Sequence, residues 1–540
     1  MLVLLLSFII LPIYEIKVVN ASKSFITQQE INYSFIDPEL LNSQNNHLQH
    51  FDINVIHNGE TFEGYNLFIL IQENVTGEKR VKRNILLITD MEGKILIECD
   101  LGISAMHSMP VKFINATTLL FYSPKLRSTV LWNLQNNKTV KMNFSGHHEF
   151  EYNPINNTIF TLVFHTEQIN GSSYTFDYIR EYDKSALIWS LDTHDFISHK
   201  QMCPFGDMMS GGSVDVVHGN TVFFDSEENI IYFNSRNVNT FYKIDHKTGK
   251  VLWGLGEFGN FTLFDQKGIQ KKSLFYHAHA VEKVDDNTFI LFDNDMHNKS
   301  NNQNKRSRLV EITIDEETMT ANETWVWKPP INYFSVILGD ADRLPNGNRL
   351  GTFGDARAHE NNIGGRIVEI DEKGNIVWEM NFQNNERFWY YVYRAERFCF
   401  GPILDPITTC IESTENYTEV EWRAEAWYNF RTKQRFTEPY TLYLDNQSIH
   451  HGIHTFDKFW QPTIISENLG PLRLGTHTIT VEFNGIFAGY NVHNNLIIGA
   501  CPSINNEPTD DRGLAVAFIL LLISGGIATI GLMVFLYRKR

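Results

Sequence analysis

Apolar and polar positions alternate with period two along most of this chain, a pattern of strands rather than helices. One unit recurs: an alternating strand, an Asp-led turn holding Gly or Asn, and a second alternating strand. It reads Phe241-Tyr-Lys-Ile-Asp245-His-Lys-Thr-Gly249-Lys-Val-Leu-Trp253 in one place and Arg366-Ile-Val-Glu-Ile-Asp371-Glu-Lys-Gly374-Asn-Ile-Val-Trp378 in another. A longer version runs from Arg308 through Asp315 to Trp327, and shorter ones centre on Asp90 with Gly93, on Asn133, and on Asp183 with Trp189. The six anchors lie 43 to 70 residues apart, a spacing that predicts the blades of a six-bladed β-propeller with loop insertions.

Between these hairpins lies a second unit, a strand pair often led by histidine. It starts at His107, His148, His218 and His279, and Asp342-Arg-Leu-Pro-Asn-Gly-Asn-Arg-Leu350 continues the series without one. Two such strands and one hairpin make a four-stranded blade, whose innermost strand borders the central channel. Equivalent strand starts then form a ring, bringing together histidines 60 or more residues apart in sequence.

After Phe398 the Asp-Gly hairpins stop. Val420–Trp427, Tyr440–Leu444 and His477–Phe483 alternate between turn signals, predicting a small β-sandwich-like domain over 398–501. His450-His451-Gly-Ile-His454 reads as an exposed loop within it. The ends differ again. Residues 1–21 have the apolar core and small-residue site of a signal peptide. Residues 502–513 read as a stalk, and 514–537 as 24 residues without a charge, enough for one transmembrane helix. Arg538-Lys539-Arg540 would stay cytoplasmic, placing residues 22–397, the propeller, and 398–501 outside the cell. Thirteen Asn-x-Ser/Thr sequons, among them Asn74, Asn143 and Asn260, fit a membrane-anchored extracellular glycoprotein.

Composition narrows the function. A formal net charge of −17, from 46 basic and 63 acidic side chains, lacks the basic surface that nucleic acid requires. Thirty-nine Phe, 21 Tyr and 10 Trp exclude disorder for most of the chain. Five cysteines, Cys99, Cys203, Cys399, Cys410 and Cys501, leave an odd one for a free thiol or a bridge between chains, so a homodimer is open. No Cys-x-x-Cys is present, and His277-Ala-His279 lacks a third ligand at local spacing, so neither a metal nor a cofactor is expected.

The candidate constellation is His218, His279, Arg308 and His359, with His148, His277 and Arg236 as neighbours. Several segments around them carry a resemblance. They are His218 ahead of Asn234-Ser-Arg236-Asn237, Phe275-Tyr-His-Ala-His279-Ala-Val ahead of Leu-Phe-Asp293-Asn294, and Ser307-Arg308-Leu-Val-Glu-Ile. Over about 140–397 the chain resembles the arylsulfate sulfotransferase family, six-bladed propeller enzymes that move a sulfuryl group from an aryl sulfate to a phenol without a nucleotide sulfate donor. The resemblance implies a sulfohistidine intermediate, with His359 accepting the group, Arg308 holding its oxygens, His218 binding a sulfuryl oxygen and His279 serving as acid and base. The bacterial enzymes place a sandwich ahead of the propeller, whereas here the sandwich-like segment follows it.

The residue types suit that chemistry. Sulfuryl transfer through a loose transition state is governed by positioning and by cationic stabilisation of the equatorial oxygens. A neutral imidazole attacks in line, a second one moves the phenolic proton, and a guanidinium presents a fixed fork of donors. The alternative is a non-catalytic cell-surface propeller that binds a glycan or a protein partner, its histidines hydrogen-bonding within the blades.

Overall fold

The computed structural model describes residues 16–18 and 51–501, apart from 78–79, 105–109, 206–211, 296–306, 331–332, 356–362, 429–434, 459–460 and 488. The segments expected to export and anchor the chain, 1–21 and 502–540, lie outside the described residues except for 16–18, and His107 and His359 also lie outside them. Among the described residues no helix is long and apolar enough to cross a membrane.

The chain is all-β, and six mainly antiparallel sheets occupy residues 53–398. Sheet I pairs Phe388–Phe398, Tyr65–Asn74, Val81–Thr89 and Ile95–Ile103; sheet II pairs Val111–Asn115, Thr118–Ser123, Ser128–Asn133 and Lys138–Met142. Sheet III runs His147–Asn153, Thr158–Ile169, Ser172–Asp183, Ala186–Asp192, and sheet IV runs Gly219–Asp225, Ile230–Ser235, Thr240–Asp245, Val251–Gly256. Sheet V runs His279–Lys283, Thr288–Asp293, Arg308–Asp315, Thr320–Trp327, and sheet VI runs Asp340–Arg343, Arg349–Phe353, Ile363–Ile370, Ile376–Gln383.

All six hairpins expected from the sequence are present, each joining the third and fourth strands of its sheet. The leading carboxylate is the turn's acceptor: Asp90 Oδ1 takes the N–H groups of Glu92 and Lys94, and Asp371 Oδ1 takes that of Asn375. Gly93, Gly249 and Gly374 hold φ of 77°, 69° and 88°, where a side chain would be strained.

Both faces of each sheet are buried, which makes apolar runs out of what would otherwise alternate with polar residues. In sheet V, Phe289 and Leu291 pack on sheet IV while Ile290 and Phe292 pack on sheet VI. The same seams join I to II through Leu67 and Leu119, II to III through Leu120 and Phe150, and III to IV through Phe160 and Val222. The sixth seam, with Trp378 and Met380 against Phe68 and Leu87, returns from VI to I.

Sheet I is the one that local pattern does not show. Its first strand, Phe388–Phe398, comes from the far end of the ring and pairs with Tyr65–Asn74. Arg397 on that strand is 1% exposed; it bonds Asn66 Oδ1 at 2.8 Å and Glu369 Oε2 of sheet VI at 2.9 Å. A buried pair of this kind is costly to break from one side, about 3–5 kcal/mol, and here it ties three separate segments.

Residues 403–501 form two further sheets around one core that includes Trp422, Leu442, Phe456, Val481 and Leu496. Cys410 and Cys501, near the two ends of this segment, form a disulfide, while Cys99 and Cys399 are free thiols. The histidines at 450–454 lie on the strand Gln447–Phe456 rather than in a loop. His454 is buried there, bonded to Thr463, and burial lowers its pKa to about 4.

Candidate active site

The first strands of sheets III, IV and V share a local device. Each starts with a register shift, at His147/Phe150, Gly219/Thr221 and His279/Glu282. Beside it stands a non-glycine residue in the left-handed region: His148 at φ 61°, His218 at 46° and Ala280 at 51°. Such residues cost of order 1–3 kcal/mol each and gather at functional sites. Here the kinks turn three imidazoles from three sheets together. The His148 and His218 rings are 4.7 Å apart, and the Tyr393 ring lies 6.2 Å from His148 and 6.4 Å from His279.

Each ring is oriented from behind. His218 points Nδ1 at Asp215 Oδ2, 2.6 Å away, while its backbone N–H donates to Oδ1 of the same carboxylate. A carboxylate accepts only, so Nδ1 carries the proton and Nε2 keeps its lone pair. His279 points Nδ1 at Asn294 Oδ1, also 2.6 Å. The Asn294 amide nitrogen already donates to the carbonyls of Ser335 and Leu338, so its oxygen faces the histidine and His279 is likewise the Nδ1–H tautomer. His148 shares a 2.7 Å Nδ1 to Nδ1 contact with His147, whose ring stacks on Phe164 and whose Nε2 sits 2.9 Å from Asp177. Asp177 also accepts the Gly219 N–H, and a Cβ at Gly219 would lie 2.7 Å from Phe233. That glycine is what lets sheet III brace the His218 corner.

The electrostatics favour neutral imidazoles at His279 and His148. Burial pushes His279 well below the ordinary histidine range, and Arg236, His218 and Arg394 push it further against the Asn294 bond. His148 is lowered for the same first reason, then by His218, His147, His279 and Arg394. Arg236 is 1% exposed and its backbone N–H bonds the His218 carbonyl. Arg394, on the strand that completes sheet I, bonds Glu149 Oε2 at 2.5 Å and the Asn220 carbonyl at 2.6 Å.

Next to Ala280 lies a small recess, about 30 Å³ and so roughly water-sized, lined from all six sheets, by Lys112, Glu149, Thr221, Ala280, Asp340 and Arg394 among others. Lys112 pairs with Glu149 and Glu151 at 2.9 Å. Asp340 and Glu396 are held above the ordinary carboxylate range, by burial first and then by neighbouring carboxylates.

Of the residues expected from sequence, His148, His218, His279 and Arg236 converge. Arg308 does not join them as a free cation: its Nε and Nη2 bond Asp293, its Nη1 bonds Glu323 at 3.2 Å, and Nη2 also bonds the Leu274 carbonyl. Two carboxylates outweigh its charge. His277 is fully buried in the left-handed region, its N–H bonded to Asn239. Asp215, Tyr393 and Arg394 were not singled out from sequence, and Asn294 only as part of the Leu-Phe-Asp293-Asn294 segment, with no role. The signal for Tyr393 and Arg394 was an arginine inside the aromatic run Trp389-Tyr-Tyr-Val-Tyr-Arg394 that follows the sixth hairpin.

A family model described as Arylsulfotransferase (ASST) matches residues 45–394. No curated protein matches the sequence. Solved structures similar to this chain include Kuenenia stuttgartiensis hydrazine synthase, at 9% identity and a TM-score of 0.28 over 60% of this chain and 79% of that one. Others are the dihydro-heme d1 dehydrogenase NirN, at 11% and 0.25 over 66% and 84%, and a luciferin-regenerating enzyme, at 11% and 0.23 over 59% and 83%.

Proposed function

This chain belongs to the arylsulfotransferase family, and from that premise we propose that it moves a sulfuryl group from an aryl sulfate ester to a phenolic acceptor by way of a sulfohistidine at His279. In this reading the six sheets are the blades of a six-bladed propeller and the histidine cluster stands at its axis. The observation that carries the assignment is the Asn294 amide, which leaves the lone pair of a buried, neutral His279 on Nε2.

The steps follow from the groups present. His218 Nε2 first takes a proton from solvent; His279 Nε2 then attacks sulfur in line as the sulfur to aryl-oxygen bond breaks, and the leaving phenolate takes that proton from His218 Nε2. An acceptor phenol then returns that proton to His218 Nε2 and its oxygen attacks the sulfur, breaking the N–S bond and restoring His279. Asp215 accepts from His218 Nδ1 and so leaves Nε2 as the atom that gives and takes the proton. Arg236, with His148, supplies positive or donating groups to the three equatorial oxygens. This exchanges the roles expected from sequence: acceptance moves from His359 to His279, and proton transfer from His279 to His218.

The disulfide Cys410–Cys501 supports the outward orientation drawn from the sequons, since such bonds persist in oxidising spaces. We retain the membrane anchor at 514–537 as part of the same proposal. Two-substrate initial rates with a chromogenic aryl sulfate and a phenol are expected to give parallel double-reciprocal lines. An absence of acceptor-dependent phenol release overturns the reading.

A further inference from the structure

A second cluster of ligating side chains lies in sheet III, and none of its four members belongs to the histidine cluster described above. His165 and Glu167 are alternate residues of the long strand Thr158–Ile169 and so share a face. Asp192 ends the strand Ala186–Asp192 and is followed by His194 in a single helical turn. His165 Nε2 lies 2.8 Å from Asp192 Oδ1, His194 Nδ1 lies 2.8 Å from Glu167 Oε2, and His165 Nδ1 lies 3.8 Å from Glu167 Oε1. One donor atom from each of His165, Glu167 and Asp192 falls within 4.8 Å of the others.

Both rings are held rather than free. His165 stacks on Tyr178 with centroids 4.0 Å apart, and His194 stacks on Phe176 at 4.2 Å. Among the described residues no lysine or arginine pairs with Glu167 or Asp192; their ion-pair partners are these histidines. With neutral imidazoles the set therefore carries two uncompensated negative charges around two nitrogen lone pairs. That is the charge and donor type a divalent transition cation takes, whereas calcium needs six to eight oxygens.

We propose that His165, Glu167, Asp192 and His194 form a binding site for a divalent transition cation of the zinc class. Ligand atoms on a tetrahedron around zinc are about 3.3 Å apart, so the two 2.8 Å contacts open slightly, the three-residue set within 4.8 Å supplies the first ligands, and His194 swings in as the fourth from its contact with Glu167. The exchange releases any proton shared in those contacts and leaves each ring bound through the nitrogen that now faces a carboxylate. Coordination would tie the far end of the longest hairpin of sheet III to the chain leaving that sheet, a structural clip rather than part of sulfuryl transfer.

The test uses the full-length protein without a histidine tag, stripped with EDTA and titrated with zinc against a chromogenic chelator, followed by thermal melting. The wild type is expected to take up a saturable equivalent that raises its melting temperature. His194→Ala and Glu167→Gln, both at partly exposed positions, are each expected to weaken uptake at least tenfold and to remove the thermal shift. Uptake unchanged in both variants, no saturable uptake by the wild type, or uptake lost instead in His279→Ala overturns the proposal. None of these readouts depends on sulfuryl transfer, so the two proposals stand or fall separately.

Discussion

Asn294 sets the tautomer of His279. Its amide nitrogen is committed to the carbonyls of Ser335 and Leu338, so its oxygen accepts from His279 Nδ1 at 2.6 Å and the reactive lone pair is left on Nε2. Asn294→Ala removes the acceptor without touching the substrate. Steady-state kinetics are expected to show kcat reduced roughly 10- to 100-fold at little change in KM, in the range for loss of a group that orients a catalytic histidine.

The pH profile should carry the mark of Arg236. His279 is held well below the ordinary histidine range by burial, with Arg236 the largest charge acting on it, followed by His218 and Arg394. The wild type is therefore expected to keep its kcat below pH ~6.5, the reference value for histidine. Arg236→Met removes that charge and lets His279 rise. The acid limb of the profile should move to higher pH as well as the rate falling, and an unmoved limb would show that Arg236 does not act on this imidazole.

Asp340 offers a stability prediction with a definite sign. Its side chain is 97% buried, Oδ1 accepts only the neighbouring Ala341 N–H, and Oδ2 has no hydrogen-bond partner. Burial, with Glu149 adding to it and Arg394 and Lys112 opposing, raises its pKa. A carboxyl raised in the folded state holds a proton that the unfolded chain has released, so its contribution to stability falls as pH climbs above the ordinary value of about 4. Asp340→Asn should be more stable than the wild type at pH 8 in urea unfolding, with the advantage vanishing near pH 4.

In the proposed mechanism Arg308 is a structural guanidinium and Arg236 a catalytic one. Asp293, which Arg308 pairs with, is 0% exposed, so Arg308→Ala strands a buried carboxylate and should cost about 3–5 kcal/mol of stability. Turnover per folded molecule is expected to change less than tenfold, measured after correction for the folded fraction. Arg308→Ala losing activity with stability intact would return the oxygen-binding role to Arg308.

The fold was legible where its signals are local. Asp90, Asp245 and Asp371 each close a turn with their own carboxylate, and a turn of that kind is written in a few consecutive residues. The convergence of His148, His218 and His279 was also legible, because a repeat places equivalent strand starts together. The pairing of Phe388–Phe398 with Tyr65–Asn74 was not, since it joins segments more than 300 residues apart with no turn between them. The pairing of Arg308 was not legible for a related reason. A strand that begins Ser-Arg looks the same whether its guanidinium is open or closed by Asp293 and Glu323, and only the neighbouring strands decide. Arg236 was read as a neighbour because it lies in a turn rather than at a strand start.

The central claim is that His279 carries the sulfuryl group. Incubating the protein with an aryl sulfate in the absence of any phenolic acceptor, quenching at alkaline pH and mapping peptides by mass spectrometry tests it most directly. The account predicts one added SO₃ on the peptide containing His279, absent from His279→Ala and discharged when a phenol is added. The same mass on His218, His148 or His359 with His279 unmodified, or phenol transfer at undiminished rate in His279→Ala, would contradict it.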